Sequence, residues 1–403
     1  MRRRQLLQGG IAITAATLGP STRLFAAPSG AAAGGAKFLF VFLRGGYDAA
    51  SLLVPVSSDF YYASRPNIAV PRPSDAANSA LPLSSDWGLH PALEDNVALL
   101  ASRGQAVFIP FAGTDDLTRS HFETQDSIEL GQPLSGHRDY GSGFMNRLAE
   151  VLGAGDAIAF TDQLPLCFRG PAQIGNVSLK SVGKPAIDNR TRDLLASMYR
   201  NQALAAQVQE GFAVRDEVSR EMAGEMEAAN RNAITAKGFA LEARRIARLM
   251  RDKYSLGFVD VGGWDTHVNQ GAGTGYLASR FQELGRSLTG FADEMGEDAW
   301  RKTVVVVISE FGRTFRENGN RGTDHGHGSV HWVLGGGLSS ANDKLAGEQV
   351  TVEQRSLFQN RDFPVLNEYR AVLGGLLQRM YGLRAGALER VFPGAQPRDL
   401  RLV

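Results

Sequence analysis

The stretch V-V-V-V-I-S-E-F-G-R-T, residues 304–314, decides the fold that this sequence predicts. Its β-branched run, Val304 to Ile308, is typical of a strand buried on both faces, as the strands of a parallel sheet are. The run ends in Glu310, with Arg313 shortly after it. Because ligands of open α/β sheets bind at the carboxyl ends of the strands, the stretch predicts a parallel sheet with a site at its edge.

The surrounding chain alternates between strand and helix patterns. Apolar runs at 38–43, 105–110, 256–261 and 330–334 read as further strands, and a helix with three-four spacing is expected from Leu277 to about Met295. Strand 256–261, this helix and strand 303–309 form a βαβ unit, which is expected to be parallel and right-handed. The fold class is therefore α/β, with a central, mostly parallel sheet flanked by helices.

Residues 188–252 interrupt this alternation with a long helical pattern, rich in Ala, Glu, Arg and Met and free of Pro. We interpret them as a helical insertion or cap within one α/β domain that spans residues 34–403. No internal repeat divides the chain further.

Composition excludes several functions. The net charge is +1, so nothing favours binding to nucleic acid or to an anionic membrane. The single cysteine, Cys167, excludes an intramolecular disulfide and a cysteine-based metal site, and we expect it to be a buried thiol.

The N-terminus has the pattern of an export signal. Three arginines follow Met1, a short apolar run covers residues 9–18, and small residues follow. The arginine run favours a twin-arginine signal peptide over residues 1–33, which implies export by that machinery to the periplasm or beyond. The apolar run is too short for a stable transmembrane anchor. The alternative is a basic tail without a targeting role.

Acids and histidines gather where the strands end. Asp48 follows the first strand, Asp265 and His267 follow strand 256–261, Glu310 follows strand 304–308, and the next loop carries D-H-G-H with His325 and His327. Carboxylates and imidazoles at one sheet edge are costly to bury unless they are paired or bind a metal. Their oxygen and nitrogen atoms suit Zn, Mn or Fe, or Mg and Ca if the histidines are peripheral.

Arg313, His331 and His90 complete this set of polar residues. The planar guanidinium of Arg313 matches two oxygens of a phosphate or sulfate, so we interpret it as an anion clamp. His331 lies in an apolar segment and is expected in the core. His90 precedes Pro91 and is expected to be either an ordinary loop residue or a contact at the start of a helix.

Ser120 and His121 form a second candidate constellation. Ser120 stands where a helix begins and has capping-box spacing to Glu123, so simple capping is the simpler interpretation. A hydroxyl at that position is also exposed to the positive end of the helix dipole, which favours a nucleophile or a bound anion. His121 is open to three interpretations: metal ligand, base or loop contact.

Five motifs together identify a family. R-G-G-Y-D-A, S-H-F-E-T-Q-D, G-G-W-D-T-H, S-E-F-G-R-T and G-T-D-H-G-H-G, in this order behind the arginine-rich leader, resemble the bacterial proteins of domain of unknown function 1501. That family is similar to the alkaline phosphatase and sulfatase superfamily. The resemblance implies an alkaline phosphatase-like fold, with a divalent metal (Zn, Mn, Ca or Mg) at the carboxyl edge of the sheet. It also implies transfer or hydrolysis of a phosphate or sulfate ester, either small or borne on a polymer.

The resemblance also assigns roles to residues. It implies a nucleophile at Ser120 and a set of metal ligands, namely Asp48, Asp265, His267, Glu310 and either His325 or His327. In an enzyme of this kind, our hypothesis gives Arg313 the role of balancing the charge that develops on the ester. Three features depart from the superfamily. Phe311 replaces the histidine expected after the acid, the spacing from Asp265 to His267 is shorter than usual, and the sequence around Ser120 lacks the sulfatase motif.

Two non-catalytic alternatives therefore stay open. The first is a catalytically degenerate envelope protein that keeps the phosphatase-like fold to bind a ligand or partner. The second is a glycan-binding protein that stacks sugars on exposed aromatic rings, for which the candidates are Tyr47, Tyr61, Tyr62 and Trp87. The oligomeric state is not predicted.

Overall fold

The computed structural model describes residues 35–179, 189–200, 202, 204–205, 207–209, 211–212, 238–339 and 344–403. The predicted signal peptide, residues 1–33, lies outside the described residues. Among those that are described, no helix is both long enough and apolar enough to span a bilayer.

The described strands and helices follow the alternation that the sequence predicts. The strands are β1 Lys37–Leu43, β2 Leu53–Val54, β3 Leu81–Pro82, β4 Gly88–Leu89, β5 Ala106–Gly113, β6 Ala157–Ala159, β7 Gly175–Asn176, β8 Leu256–Val261, β9 Thr303–Ser309, β10 Ser329–Leu334 and β11 Asn367–Glu368. The helices are α1 Ala49–Leu52, α2 Asp59–Ser64, α3 Val97–Ser102, α4 His121–Leu130, α5 Phe144–Leu152, α6 Asn189–Tyr199, α7 Phe239–Asp252, α8 Tyr276–Trp300, α9 Tyr369–Tyr381 and α10 Ala385–Val391. Short 3-10 helices occur at Pro91–Leu93, Leu166–Phe168 and Gln354–Ser356.

An eight-stranded sheet forms the centre of the fold, in the order β11-β5-β10-β9-β1-β8-β6-β7. Strand β1 pairs in parallel with both β8 and β9. Strand β10 is antiparallel to its neighbours β5 and β9. The fold class predicted from the sequence, α/β with a mostly parallel, mixed sheet between helices, is confirmed.

The two faces of the sheet have separate cores. In β1, Leu39, Val41 and Leu43 face one core, and the alternating Phe38, Phe40 and Phe42 face the other. Every residue of β1 and β9 is buried. This burial on both faces is the physical reason that these strands read as continuous apolar runs.

The predicted βαβ unit forms, but its two strands are separated in the sheet by β1. β8 and β9 are parallel and joined by α8, which breaks at Gly296 close to the predicted helix end. β1 lies between β8 and β9, so the connection passes over one strand. After β9 the chain returns as β10 without an intervening helix, which is why β10 is antiparallel.

This topology brings several loops to one edge of the sheet. The carboxyl ends of β1, β5, β8 and β9 lie at the same edge, and β10 begins there because it runs the opposite way. The loops that leave these ends carry the acids and histidines that the sequence analysis singled out.

Only part of the predicted insertion, residues 188–252, is described. It contains α6 and α7 at its two ends, and most of the residues between them lie outside the described ranges. α7 packs beside α8, where Arg248 Nε donates to Glu294 Oε1 at 2.7 Å, and its apolar face joins the core through Ile246 and Met250. The end of this segment is therefore part of the helical layer on the sheet.

Burial corrects one alternative from the sequence. Tyr47, Tyr61 and Trp87 are buried in the core rather than exposed, and Tyr62 is only partly exposed. Their rings pack against other aromatic side chains, as Tyr47 does against Trp264 at a centroid distance of 6.0 Å. The prediction that they stack sugars on the surface is therefore wrong.

Cys167, His90 and His331 lie where the sequence predicts. Cys167 is a buried, free thiol, and burial raises its pKa. His90 starts the 3-10 helix at Pro91, where its Nδ1 accepts from the Ala92 amide at 3.1 Å. His331 is buried within β10.

Candidate metal centre

Three imidazole rings surround one carboxylate at the sheet edge. Asp265 Oδ1 lies 2.9 Å from His267 Nε2 and 3.6 Å from His325 Nε2, and Asp265 Oδ2 lies 3.6 Å from His121 Nε2. We call these four residues the histidine cluster. Ligand atoms of His121, Asp265 and His325 all lie within 4.8 Å of one another.

The other ring nitrogen of each histidine is held by an oxygen. His121 Nδ1 lies 2.8 Å from Glu310 Oε1, and His267 Nδ1 lies 3.1 Å from Asp324 Oδ1. His325 Nδ1 lies 2.9 Å from the Arg119 carbonyl oxygen. Since a carbonyl or carboxylate oxygen accepts, each Nδ1 donates, and in the neutral ring the Nε2 lone pair faces the cluster.

Glu310 fixes His121 from a buried position at the end of β9. Its Oε1 also accepts from the Gly45 amide and from Gln125 Nε2, each at 2.8 Å. Burial alone would raise the pKa of Glu310, but the hydrogen bonds from His121 and Gln125 outweigh it and lower the pKa. The bond with Glu310 is also the main reason that the pKa of His121 is raised.

A glycine is required where β1 meets this edge. Gly45 has φ of 127°, and a Cβ there would lie 2.7 Å from the Asp265 amide nitrogen. Only glycine tolerates both this backbone conformation and this close approach. The glycine pair after β1 therefore lets the loop after β8 come close enough to deliver Asp265.

Arg313 contacts the carboxylate of the cluster from the protein interior. Its side chain is 0% exposed and pairs with Asp265 through Nη2. Its other contacts reach backbone carbonyls, with Nη2 2.7 Å from Gly45 O, Nη1 3.1 Å from Thr323 O, and Nε bonded to Gly46 O. Nη1 also lies 3.4 Å from His267 Nε2. Burial would raise the pKa of Asp265, but the hydrogen bond and charge of Arg313 lower it. The structure thus places the predicted anion clamp inside the protein, where it positions Asp265.

Asp48 lies outside the cluster in a network of its own. Arg65 donates to both carboxylate oxygens, at 2.5 and 3.0 Å, and Ser51 and Gln270 each donate at 2.7 Å. Burial would raise the pKa of Asp48, yet the charge and hydrogen bonds of Arg65 lower it. The strand end alone does not reveal this partner, since Arg65 lies in a separate loop.

His327 and Ser120 complete the predicted set. His327 is buried, its ring lies 5.0 Å from that of Phe358, and burial lowers its pKa to about 4. The structure does not bring it into the cluster. Ser120 is the N-cap residue of α4, but its side chain makes no capping hydrogen bond. Ser120 directly precedes His121 in the chain.

His121 is the cluster residue that the sequence analysis left open. Its signal was the position after Ser120 at the start of a helix that follows a strand, and the parallel sheet turns that position toward the edge. Phe311, which departs from the superfamily pattern, packs against this site. Its ring centroid lies 5.0 Å from those of both His121 and His325, so it forms an apolar wall beside the histidines.

The donor set fits a divalent metal. His121 Nε2 is buried and has no hydrogen-bond partner among the described residues. The Nε2 atoms of His267 and His325 lie 3.2 Å apart, and two lone pairs at that distance repel unless a proton or a metal ion lies between them. Three imidazole nitrogens and one carboxylate are a donor set that transition metals accept.

Comparisons with known proteins place the chain in a family. No curated protein matches it. Among solved structures, a protein in the alkaline phosphatase superfamily from Vibrio parahaemolyticus is similar at 13% identity with a TM-score of 0.30, and the match covers 78% of this chain. It covers 63% of that protein, so the present chain spans less than two thirds of its length. At that score the likeness adds nothing to the fold described above. A family model described as a protein of unknown function, DUF1501, matches residues 36–392, and because this range is most of the sequence, the protein belongs to the DUF1501 family.

Proposed function

We propose that the chain is an exported, metal-dependent hydrolase of phosphate or sulfate esters. The observation that carries the proposal is the orientation of the three cluster histidines, each held at Nδ1 by an oxygen while Nε2 faces Asp265. Outer contacts of this kind fix the tautomer and direction of metal-binding histidines. The proposed ligands are His121, Asp265, His267 and His325.

The same donor set narrows the choice of ion. Ca and Mg prefer oxygen ligands, whereas imidazole nitrogen suits Zn and similar transition metals. Among the ions that the sequence analysis considered, we therefore propose Zn. A divalent ion bound there would act as a Lewis acid and lower the pKa of a bound water.

The residues around the cluster have distinct proposed roles. Glu310 and Asp324 keep a proton on Nδ1 of His121 and His267, and Arg313 holds Asp265 in place. Ser120 stays the proposed nucleophile, because its hydroxyl lies at the N-terminus of α4, where free amides favour a developing negative charge. Asp48 and His327 are left out of the proposed ligand set because their partners lie elsewhere.

Export and substrate class rest on sequence features. The arginine-rich start supports a twin-arginine signal and a periplasmic or extracellular location. An anionic ester, either small or borne on a polymer, suits a centre built around a cation.

One observation favours the alternative, a degenerate protein that binds a ligand or partner. Arg313 is fully buried, with its fork on backbone carbonyls and Asp265, so it does not face outward to hold a phosphate or sulfate group. A protein of this kind would keep the metal site and lack hydrolysis.

Metal binding and hydrolysis together test these proposals. The mature protein is purified, its metal content is measured, and Zn²⁺ is titrated into chelator-treated wild type and the variants His121→Gln and His325→Gln. We expect stoichiometric binding in wild type and an affinity at least about 100-fold lower in each variant, since each removes one ligand. Glutamine is chosen because it approximates the size of histidine and leaves the Asp265–Arg313 pair intact.

His137→Gln serves as the matched control, because His137 is an exposed histidine outside the proposed ligand set. It should bind Zn²⁺ as wild type does. Hydrolysis of 4-nitrophenyl phosphate or sulfate by the loaded wild type supports the hydrolase. Metal binding without hydrolysis of any ester in a broad screen supports the binding protein, and absence of metal binding in wild type rejects the metal centre.

A further inference from the structure

We infer that Arg119 and Asp362 are positioning residues that hold the His325 ring in the orientation needed for metal binding. The inference rests on the proposed metal site for its purpose, but the contacts that carry it are independent of any metal. They run from one buried carboxylate to the backbone and to the ring of His325.

The backbone of Arg119 is in an unusual conformation. Its φ is 54°, in the left-handed region that residues with a Cβ rarely adopt. Such a conformation persists only where the surroundings enforce it, and it is found preferentially at functional sites. Here its result is visible, because the Arg119 carbonyl oxygen lies 2.9 Å from His325 Nδ1.

The side chain of the same residue is fixed by Asp362. Arg119 Nε and Nη2 lie 2.9 and 2.7 Å from Asp362 Oδ2, and Nη2 also lies 2.7 Å from Gln359 Oε1. The Asp362 side chain is 0% exposed, against 22% for Arg119. A two-point bond to a buried carboxylate is a rigid anchor, since little solvent competes for it.

A second arginine connects the same carboxylate to His325. Arg361 Nη1 lies 3.2 Å from Asp362 Oδ2, and Arg361 Nη2 lies 2.8 Å from the His325 carbonyl oxygen. Asp362 thus holds two arginines that contact His325 at opposite ends of the residue, one at the ring and one at the backbone.

Asp362 is itself fixed to the loop after β9. It forms an isolated β-bridge with Thr314, and its carbonyl oxygen accepts from the Phe358 amide at 2.8 Å. The Thr314 amide in turn donates to the Asp324 carbonyl oxygen at 2.9 Å, one residue before His325. The anchor is therefore continuous with the segment that carries the histidine. We call Arg119, Arg361 and Asp362 the His325 anchor.

The first experiment measures the ring tautomer in metal-free protein. Long-range proton–nitrogen NMR spectra of wild type, Arg119→Ala, Arg119→Lys and Asp362→Asn are compared, with His325→Gln used for assignment. We expect the proton on Nδ1 of His325 in wild type, because it donates to a carbonyl oxygen. A mixture of tautomers is expected in Arg119→Ala and Asp362→Asn, with partial recovery in Arg119→Lys.

The second experiment measures affinity for Zn²⁺ by competition with a chromophoric chelator, and the absorption spectrum of the Co²⁺-loaded proteins. Loss of the anchor should weaken Zn²⁺ binding by about 10- to 100-fold, the usual effect of removing an outer contact of a metal-binding histidine. The Co²⁺ spectrum should change as well. A residue needed only for folding would not alter either quantity in a variant that stays folded.

Arg301→Ala and Asp298→Asn are matched controls, because this arginine–aspartate pair has an N–O distance of 2.5 Å but is 57% and 94% exposed. Both controls should match wild type. An unchanged tautomer in folded Asp362→Asn and Arg119→Ala overturns the inference. If wild type takes up no Zn²⁺, the proposed function fails, and the tautomer measurement alone decides on the anchor.

Discussion

The loops after β1 and β8 carry the same motif, two glycines, an aromatic residue and an aspartate, but the two aspartates have different surroundings. G-G-Y-D ends in Asp48, G-G-W-D ends in Asp265, and the strands that precede them are neighbours in the sheet. Each aspartate has an arginine partner. The Asp48 side chain is 1% exposed, however, whereas that of Asp265 is 45% exposed.

The difference lies in what the rest of the chain places around each carboxylate. Asp48 accepts hydrogen bonds from Arg65, Ser51 and Gln270, so its oxygens are committed to the protein. Asp265 faces the Nε2 atoms of three imidazole rings, which lie 2.9 Å away for His267 and 3.6 Å away for His121 and His325. The comparison teaches that similar strand-end motifs can place an aspartate in a buried hydrogen-bond network or beside a cluster of histidines. Several of the partners that make the difference, such as Arg65 and His325, lie outside the two motifs.

The largest effect on the free energy of unfolding should come from Asp48→Asn, which is compared below with the same change at Asp265. This variant leaves the Arg65 guanidinium, whose side chain is 0% exposed, without a carboxylate. Removing one partner of a buried ion pair costs about 3–5 kcal/mol. The free energy of unfolding, measured by urea denaturation, should fall by that amount. A fall of well under 1 kcal/mol would show that Asp48 is not an anchor.

The control is Asp59→Asn. Asp59 pairs with Arg72 at the same N–O distance of 2.5 Å as Asp48 with Arg65, but the Asp59 side chain is 97% exposed. Since water screens such a pair, we expect no change in unfolding beyond the error of the measurement.

Asp265→Asn should affect metal binding strongly and the free energy of unfolding less than Asp48→Asn does. It removes a proposed ligand, so Zn²⁺ affinity measured by chelator competition should fall at least about 100-fold. The free energy of unfolding of the metal-free protein should fall less than in Asp48→Asn, because Arg313 keeps its backbone carbonyl partners. Equal destabilisation by both variants would remove the distinction between anchor and site.

An effect that is small at neutral pH and grows toward acid should come from a buried histidine, His331. Neither ring nitrogen of His331 has a hydrogen bond within the described part of the chain, and burial lowers its pKa from 6.5 to about 3. As pH falls through this window the unfolded chain binds a proton that the folded chain does not. Stability is therefore lost toward acid, by about 1.4 kcal/mol per pH unit.

His331→Leu should remove this contribution. Urea denaturation of wild type and variant between about pH 4 and pH 7 gives the two pH slopes. The free energy of unfolding should depend less steeply on pH in the variant than in wild type. Identical slopes would mean that His331 binds a proton as readily in the folded state as in the unfolded chain.

The sequence predicted the features that depend on local pattern. The β-branched run at 304–308 and the apolar run at 38–43 are both strands with the expected burial, and the site lies at the edge that parallel strands predict. The helix that precedes β9 also ends close to its predicted residue, at the break at Gly296. Membership of the DUF1501 family, which the sequence motifs indicated, is confirmed by the family model.

The contacts that these side chains make could not be predicted, because each of the following contacts joins residues that are well separated in the chain. Nothing local to Asp48 indicates that Arg65 turns back from α2 to reach it, and nothing near Arg313 indicates that its fork is buried against the glycine pair after β1. The exposure of Tyr47 was mispredicted for the same reason, since its ring is buried against Trp264 in the loop after β8 and Trp332 in β10. The place of His121 in the cluster likewise depends on Glu310, which directly follows β9.

The single buried thiol has a practical consequence. Cys167 is 0% exposed, and burial raises its pKa, so an alkylating reagent will react with it only when the surrounding layer opens. Its labelling rate in native buffer therefore reports the opening equilibrium of that layer directly, without denaturant and without an introduced probe. The labelling rate of Cys167 can therefore be compared between wild type and each variant at the sheet edge, and the ratio of the two rates gives the change in local opening.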